Sequence, residues 1–368
     1  MTQMDEILKF ARHPVLAAAI GLKVSRSARL LLALLVFALD AYTYYIDCWQ
    51  TPAITLDKFG QCSGLVSSHF VVIRLLVLTA NPLISVRWKS EGDIDPSKKT
   101  LLQRFERGAN LSWNLRGIGL NNQIQYVPAM NWPTERWPFV FQQLFRLALH
   151  ALRLAAIWVP TVWYKLHITL MANQPPAKTA LEICFRRFFF TSVIIMTSFS
   201  IIDGLYTLVC IIGVASGYSS PEAWPSLFGT WRDGTTVRRS WGRYWHQMYR
   251  MPFMMMSDAI MNDALGVKKG TNLSSYSKLF ITFTISGLMH AAGDFGMYHG
   301  ARWFSLWFFV AQAVGITIED IAIEMDKRWL GIQASRPGAA KLLGYLWVAV
   351  WFTATLPEFG AGFLPAIM

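Results

Sequence analysis

A single histidine, His290, stands in the middle of the apolar run Phe280-Ile-Thr-Phe-Thr-Ile-Ser-Gly-Leu-Met-His290-Ala-Ala-Gly. A titratable ring inside a candidate membrane span is costly and calls for a reason. Upstream, in Ser240-Trp-Gly-Arg-Tyr-Trp-His-Gln-Met-Tyr-Arg250, a second histidine, His246, sits among aromatic rings and arginines. An uncharged imidazole keeps a lone pair for a proton, and a basic aromatic segment suits a ligand that carries phosphate. Together they are the equipment of acyl transfer inside a membrane. The plainer alternatives are a histidine that pins two helices together and an interfacial belt of Trp and Arg.

Transfer of an acyl group from a thioester to a hydroxyl needs three things: a base for the alcohol proton, a donor for the developing oxyanion, and positive charge for the carrier's phosphates. His290 is the expected base. Asp294, four residues on, shares its helical face and is expected to orient the ring. Gly287, Gly293 and Gly296 let neighbours approach that helix closely. His246, beside Gln247 and between Trp245 and Tyr249, can donate to a thioester carbonyl. Trp241 and Trp245 would share one face of a helix and floor a pocket. Arg238, Arg239, Arg243 and Arg250 can hold phosphate, with Arg239 and Arg243 one turn apart. The candidate substrate and coenzyme A contacts are therefore Trp241, Arg243, Trp245, Gln247, Arg239, Arg250 and Asp294. Met251-Pro-Phe-Met-Met-Met256 reads equally well as an adaptable apolar path or as an interfacial segment.

The elements that position these residues follow from composition. The 368 residues are 54% hydrophobic and 15% charged, with mean hydropathy +0.33. A soluble domain carries about 25% charged residues, so an all-α, polytopic integral membrane protein is expected. Candidate spans cover about 30–48, 66–86, 139–163, 190–216, 277–298, 302–323 and 340–361, each near the ~20 residues a bilayer requires. Seven spans, with a range of six to nine, are expected, with interfacial or re-entrant helices around a central reaction chamber. The second contains Arg74 and Pro82 and calls for protein neighbours or water. The third carries Arg146, His150 and Arg153 as a polar stripe that faces a bundle interior or lies flat in the interface. Asp203, Glu319 and Asp320, in or at the ends of spans, read as helix-packing partners, although a transporter would use them as a proton relay.

The net charge of +12 is gathered in loops, which positive-inside topology explains, and no nucleic-acid partner is expected. Residues 1–29, the 87–138 loop, the 217–276 loop and the 324–339 loop are placed on the cytosolic side. The 164–189 loop, with Lys165, Lys178, Arg186 and Arg187, would be lumenal and fits poorly. No signal peptide is evident, so the first span is expected to be an uncleaved anchor. Two glycosylation sequons, at Asn110 and Asn272, fall in expected cytosolic loops and read as chance matches. The four cysteines lack metal-ligand spacing and no metal is expected. Cys48 and Cys62 can meet in one short lumenal loop, but free thiols are the expectation. No internal repeat or linker is visible, so residues 1–368 are expected to form one membrane-embedded domain, with the signatures in 217–298.

Thr236-Val-Arg-Arg-Ser-Trp-Gly-Arg-Tyr-Trp-His-Gln resembles the "SLRDFWGRRWHQ" signature of wax-synthase-like membrane-bound O-acyltransferases. Ser286-Gly-Leu-Met-His290 resembles the same family's "SGLLH" signature. Arg116-Gly-Ile-Gly119 is similar to its "RGIG" stretch, and Trp224-Pro-Ser-Leu-Phe-Gly229 to its "WPPLFG" lead-in. The order agrees, and the resemblance runs from about residue 110 to the C-terminus. The chain departs from the signature at Arg239, Ser240 and Tyr244, where the family more often has Asp, Phe and Arg.

The resemblance implies catalysis by His290, with His246 as the second polar active-site position. It implies acetyl-CoA as co-substrate and no permanently bound cofactor. The ending "WHQ", rather than "WN", is similar to the fungal branch that acetylates hydroxylated terpenoids and meroterpenoids. The implied partners are acetyl-CoA, a hydrophobic hydroxylated acceptor and the bilayer; the implied place is the endoplasmic reticulum membrane, with the N-terminus cytosolic. A long-chain wax or sterol ester synthase shares the chemistry, and a secondary transporter is the reading from another class.

Overall fold

The computed structural model describes residues 3–51, 55–92, 94–170, 179–298, 300, 302–331 and 335–360. Among the described residues the chain is helical, and the only β-pairing is a single bridge between Trp88 and Leu120. In chain order the helices are α1 (Gln3–Gly21), α2 (Arg26–Tyr44), α3 (Leu56–Val72), α4 (Pro82–Ser85), α5 (Leu101–Trp113), α6 (Arg136–Leu170), α7 (Ala180–Ala215), α8 (Val237–Arg239), α9 (Arg250–Asp258), α10 (Asn272–Tyr298), α11 (Phe304–Met325) and α12 (Pro337–Gly360). Local chemistry sets several starts. Ser25, Thr55, Thr100, Thr179 and Thr236 each accept from a backbone N–H in the first turn of the helix that follows, which satisfies one of its orphan donors.

Five helical stretches among the described residues are long and apolar enough to cross a bilayer: Arg26–Trp49, Asp57–Leu78, Ala180–Ala215, Phe304–Trp329 and Pro337–Phe359. Large apolar side chains such as Leu31, Leu34, Ile212, Trp307 and Leu342 point outward from them, a surface that lipid satisfies and water does not. Helices α6 and α10 occupy the third and fifth expected spans, and α10 carries His290 and Asp294.

The chain divides into two compact units, residues 1–125 with 248–314 and residues 126–247 with 315–368. In the first, α1, α2, α3 and α5 enclose a core of Leu16, Ile20, Val36, Val72, Leu75, Leu76 and Leu111. The expected charged N-terminal segment is instead the helix α1, half apolar and packed tightly on α5. The contact depends on glycine: a Cβ at Gly21 would stand 2.1 Å from the Arg104 carbonyl oxygen, and one at Gly108 2.1 Å from that of Ala17. The second span begins earlier than expected, at Thr55, and ends at Leu78, because Asn81 and Pro82 start the separate turn α4. Its Arg74 has the protein neighbours it needs, donating to the carbonyls of Asn114 at 3.1 Å and Leu111 at 3.0 Å and to Met251 Sδ.

In the second unit α6 lies along α7. Arg146 and His150 reach the buried Asp203, His150 Nε2 at 3.0 Å, and the Arg153 guanidinium covers Phe199 at 5.8 Å. The polar stripe therefore faces a helix. Arg187, expected in a loop, lies within α7 and donates to the Ala354 carbonyl of α12 at 2.7 Å; Arg186 is likewise helical. Lys178 and the side chain of Lys165 lie outside the described residues.

Cys48 and Cys62 are joined in a disulfide rather than free. The π-turn Tyr45–Trp49 and the start of α3 bring their Cα atoms to 6.0 Å, a proximity that spacing alone does not reveal. Cys184 and Cys210 are free thiols.

Candidate active site

His290 belongs to the first unit. It is held there by α10, whose Met289 packs with Phe70 of α3 and Phe253 of α9. Gly287 admits the start of α11, since a Cβ there would come within 2.9 Å of Leu306 Cα. The imidazole is half-buried, 4.5 Å from the Phe309 ring and 6.0 Å from the Phe59 ring between centroids. Its Nδ1 lies 2.8 Å from the Ser286 carbonyl. A carbonyl only accepts, so Nδ1 donates, and in the neutral ring Nε2 carries the lone pair.

The orientation comes from the backbone one turn earlier, not from Asp294. That carboxylate is completely buried, and its Oδ2 accepts from Ser305 N–H at 3.0 Å in the first turn of α11. Unpaired amides at a helix start attract a carboxylate through both hydrogen bonds and the helix dipole. Asp294 therefore joins α10 to α11 and does not orient His290.

The Trp241–Gln247 segment belongs to the second unit. It begins with Thr236 capping α8, continues as the π-turn Ser240–Tyr244, and ends with Trp245 extended. Glu319 of α11 receives the opening amides: its Oε2 accepts from Val237 N–H at 2.6 Å and its Oε1 from Arg238 N–H at 3.2 Å. Trp347 Nε1 of α12 donates to the same carboxylate at 3.0 Å. Arg238 is paired with Asp320. At the other end Gln247 is buried, and its amide donates to the carbonyls of Trp241 and Trp245 at 3.2 Å each. This fastens the segment into a closed loop.

Within that loop the His246 ring lies 5.6 Å from Trp245 and 5.8 Å edge-on from Phe228. Trp241 and Trp245 do meet, but at 6.1 Å and 70°, edge to face and not as a parallel floor. Each of the arginines has its own surroundings. Arg243 lies over Tyr126 at 4.7 Å, and Arg239 donates to Thr235 Oγ1 at 3.3 Å and pairs loosely with Asp233 at 4.0 Å. Arg250 opens α9 in the first unit. Tyr244, one of the departures from the resembled signature, is half-buried, and burial pushes its phenol up, so it stays neutral.

Two further stretches take their meaning from this geometry. Phe228 and Gly229 pack directly on the loop, Phe228 against both Trp245 and His246. Arg116–Gly119 turns on left-handed glycines, φ +66° at Gly117 and +74° at Gly119. Asn114 braces that turn with two 2.8 Å bonds to Ile118, and Gly117 presses on Met251. In the sequence Glu319 reads only as a helix-packing partner at the end of a span. The signal that could have found it is the cap at Thr236, which announces a helix start whose amides need an acceptor. Phe59 and Phe309 leave no such trace. Among the described residues no three His, Cys, Asp or Glu side chains are grouped to hold a metal.

The sequence pattern of the family described as "Membrane bound O-acyl transferase family" matches residues 224–311, which take in the Trp224–Gly229 lead-in, the Trp241–Gln247 loop and His290. The chain is 32% identical to acetyltransferase ple2 of Rhodocybe pseudopiperita over 263 residues, 70% of this chain and 66% of that protein. It thus spans just under two thirds of that relative's length. It is 28% identical to acetyltransferase eriL of Hericium erinaceus over 348 residues, 91% of this chain and 85% of the relative. It is 32% identical to acetyltransferase pyr8 of Aspergillus fumigatus over 345 residues, 86% of this chain and 77% of the relative. No solved structure matches the chain.

Proposed function

Because the chain belongs to the membrane-bound O-acyl transferase family, we propose that it moves an acetyl group from acetyl-CoA to a hydroxyl of a hydrophobic terpenoid or meroterpenoid. The observation that carries this reading is the tautomer of His290. With Nδ1 donating to the Ser286 carbonyl, Nε2 is the basic nitrogen. The printed names of the relatives, acetyltransferases throughout, favour acetyl over longer chains.

In the proposed reaction Nε2 of His290 takes the hydroxyl proton as the acceptor oxygen attacks the thioester carbon. A C–O bond forms and negative charge collects on the former carbonyl oxygen, to which the His246 ring donates. Collapse breaks the C–S bond, and the leaving thiolate takes the proton back from His290. The products are the ester and free coenzyme A, with no net proton consumed and no covalent enzyme intermediate, since the thioester is already activated. Trp241, Trp245, Arg239, Arg243 and Arg250 are the proposed coenzyme A contacts. Gln247 is assigned to holding the loop. The proposed setting is the endoplasmic reticulum membrane, with the N-terminus on the cytosolic side.

The test is acetyl transfer in microsomes carrying the full-length chain, with labelled acetyl-CoA and a panel of hydroxylated terpenoids, read by mass spectrometry. Labelled ester that depends on the chain supports the proposal. Preference for palmitoyl-CoA in competition would make it a long-chain ester synthase instead, and acceptor flux without any dependence on coenzyme A would remove the transferase reading.

A further inference from the structure

Past α2 the chain turns through Tyr45–Trp49 and returns as α3, and this turn wraps the part of α10 that follows His290, all within the first unit. The Cys48–Cys62 bridge is fully buried. It lies against Gly296, where a Cβ would stand 2.3 Å from Cys62 Sγ and 3.4 Å from Cys48 Cβ. One turn earlier, a Cβ at Gly293 would meet the Phe59 ring at 2.4 Å and Ser63 Oγ at 2.5 Å. Tyr44 donates its hydroxyl to the Ala292 carbonyl at 2.6 Å. Across the turn Lys58 Nζ bonds the Asp47 carbonyl and Thr51 Oγ1. Phe59, three residues before the bridged Cys62, supplies one of the rings beside His290.

We infer that Cys48, Cys62 and Tyr44 are positioning residues, locking the α2–α3 turn onto α10 so that the His290 ring keeps its working orientation, and that this turn faces an oxidising compartment. The inference rests on His290 being the base. Gly296 is six residues beyond His290, about 9 Å along the helix. The glycine face there fits only a close neighbour, and the disulfide fixes which residues of α3 that neighbour presents. A slip of α3 by one residue, about 1.5 Å, would take Phe59 off the ring. Misplacement of about 1 Å can cost ~10²-fold in rate.

The compartment follows from chemistry. Disulfides persist in the lumen and are rare in the cytosol, and the basic N-terminal region at the other end of α2 belongs on the cytosolic side by the positive-inside rule. Two independent signals thus assign the turn to the lumen and place His290 in the lumenal part of α10. The thioester must then be carried past most of that helix, since 18 residues, from Asn272, separate its start from His290, about 27 Å.

The experiment uses sealed microsomes carrying the full-length chain. Thiols are counted by gel shift with a maleimide-polyethylene glycol after denaturation. Two thiols, Cys184 and Cys210, should label without reductant and all four after dithiothreitol. The membrane-impermeant phosphine TCEP should leave the bridge intact until the vesicles are opened. Dithiothreitol should lower kcat about tenfold or more, with KM for acetyl-CoA unchanged, and reoxidation with diamide should restore it, a reversal that loss of folded protein would not show. Cys48→Ala with Cys62→Ala should reproduce the low kcat and be blind to dithiothreitol; Tyr44→Phe should lower kcat alone; Cys184→Ser should behave as wild type. Four labelled thiols without reductant, or full kcat in the double variant at equal protein, would overturn the clamp. Reduction by TCEP in sealed vesicles would overturn the lumenal assignment. Wild-type turnover in His290→Ala would instead sink the base assignment, and the gel shift would still report the bridge and its side.

Discussion

The amide of Gly229 donates to the Tyr244 carbonyl at 2.9 Å, which ties the lead-in stretch to the loop that carries His246. The fit leaves no room for a side chain: a Cβ at residue 229 would stand 2.2 Å from the Arg243 carbonyl oxygen. Backbone cannot retreat as a flexible side chain can, so the loop itself would move. Gly229→Ala should therefore abolish most acetyl transfer while the protein still accumulates in membranes. Gly338→Ala, with open space around it, should be neutral. Turnover normalised to immunoblotted protein checks both.

The two histidines should differ in severity. His290→Ala removes the proposed base and should leave turnover near background. His246→Ala removes one oxyanion donor, a loss of about 3–4 kcal/mol, or roughly 10²–10³-fold in kcat. Single-turnover rates with labelled acetyl-CoA separate these outcomes, and wild-type rates in both variants would remove the mechanism.

Glu319 should act through the loop it caps. Glu319→Ala strands the buried Val237 amide and takes the acceptor from the Arg238 amide and Trp347 Nε1, at a cost of about 1–3 kcal/mol. Glu319→Gln keeps an acceptor and should recover part of it. Thermal unfolding in detergent ranks the three proteins, and a Glu319→Ala variant as stable as wild type would contradict the capping role.

Asp203 tests the α6–α7 contact. Asp203→Asn leaves Arg146 facing an uncharged partner beside His150, and breaking a buried ion pair from one side costs about 3–5 kcal/mol. Replacing the pair together, Arg146→Met with Asp203→Leu, should be milder than the single change. Expression level and melting temperature read the difference.

Glu91 supplies a pH test away from the reaction. Burial pushes its carboxyl up, but the hydrogen bonds from Arg107, Lys99 and the Trp88 N–H outweigh that and hold it down to about 2, against an ordinary value of 4.5. A carboxyl whose folded value is depressed stabilises the fold fully above the unfolded value and loses that contribution as pH falls towards the folded one. Wild type should therefore be more stable than Glu91→Gln above pH 4.5, with the gap closing between about pH 4.5 and 2. Acid unfolding curves of both proteins, followed by tryptophan fluorescence, supply the check, and a gap independent of pH would count against it.

Runs of apolar side chains long enough for a bilayer determined where most helices lie, since burying or lipid-solvating such a run leaves the backbone no other way to pair its own amides. That is why α2, α7, α11 and α12 were legible from residue types alone. His290 was legible too, because a polar ring in such a run is costly wherever the run ends up. Which partner a polar group takes was another matter. Spacing put Asp294 within reach of His290, yet the first turn of α11, brought alongside by packing at Gly287, offered it a bare amide. Spacing likewise said nothing of Glu319 and Val237, and it let Cys48 and Cys62 meet without requiring it. Those pairs, and the helix α1 within the basic N-terminal segment, were decided by tertiary structure, because hydrogen bonds and disulfides are made between whichever atoms packing brings within about 3–6 Å, however far apart they stand in the chain.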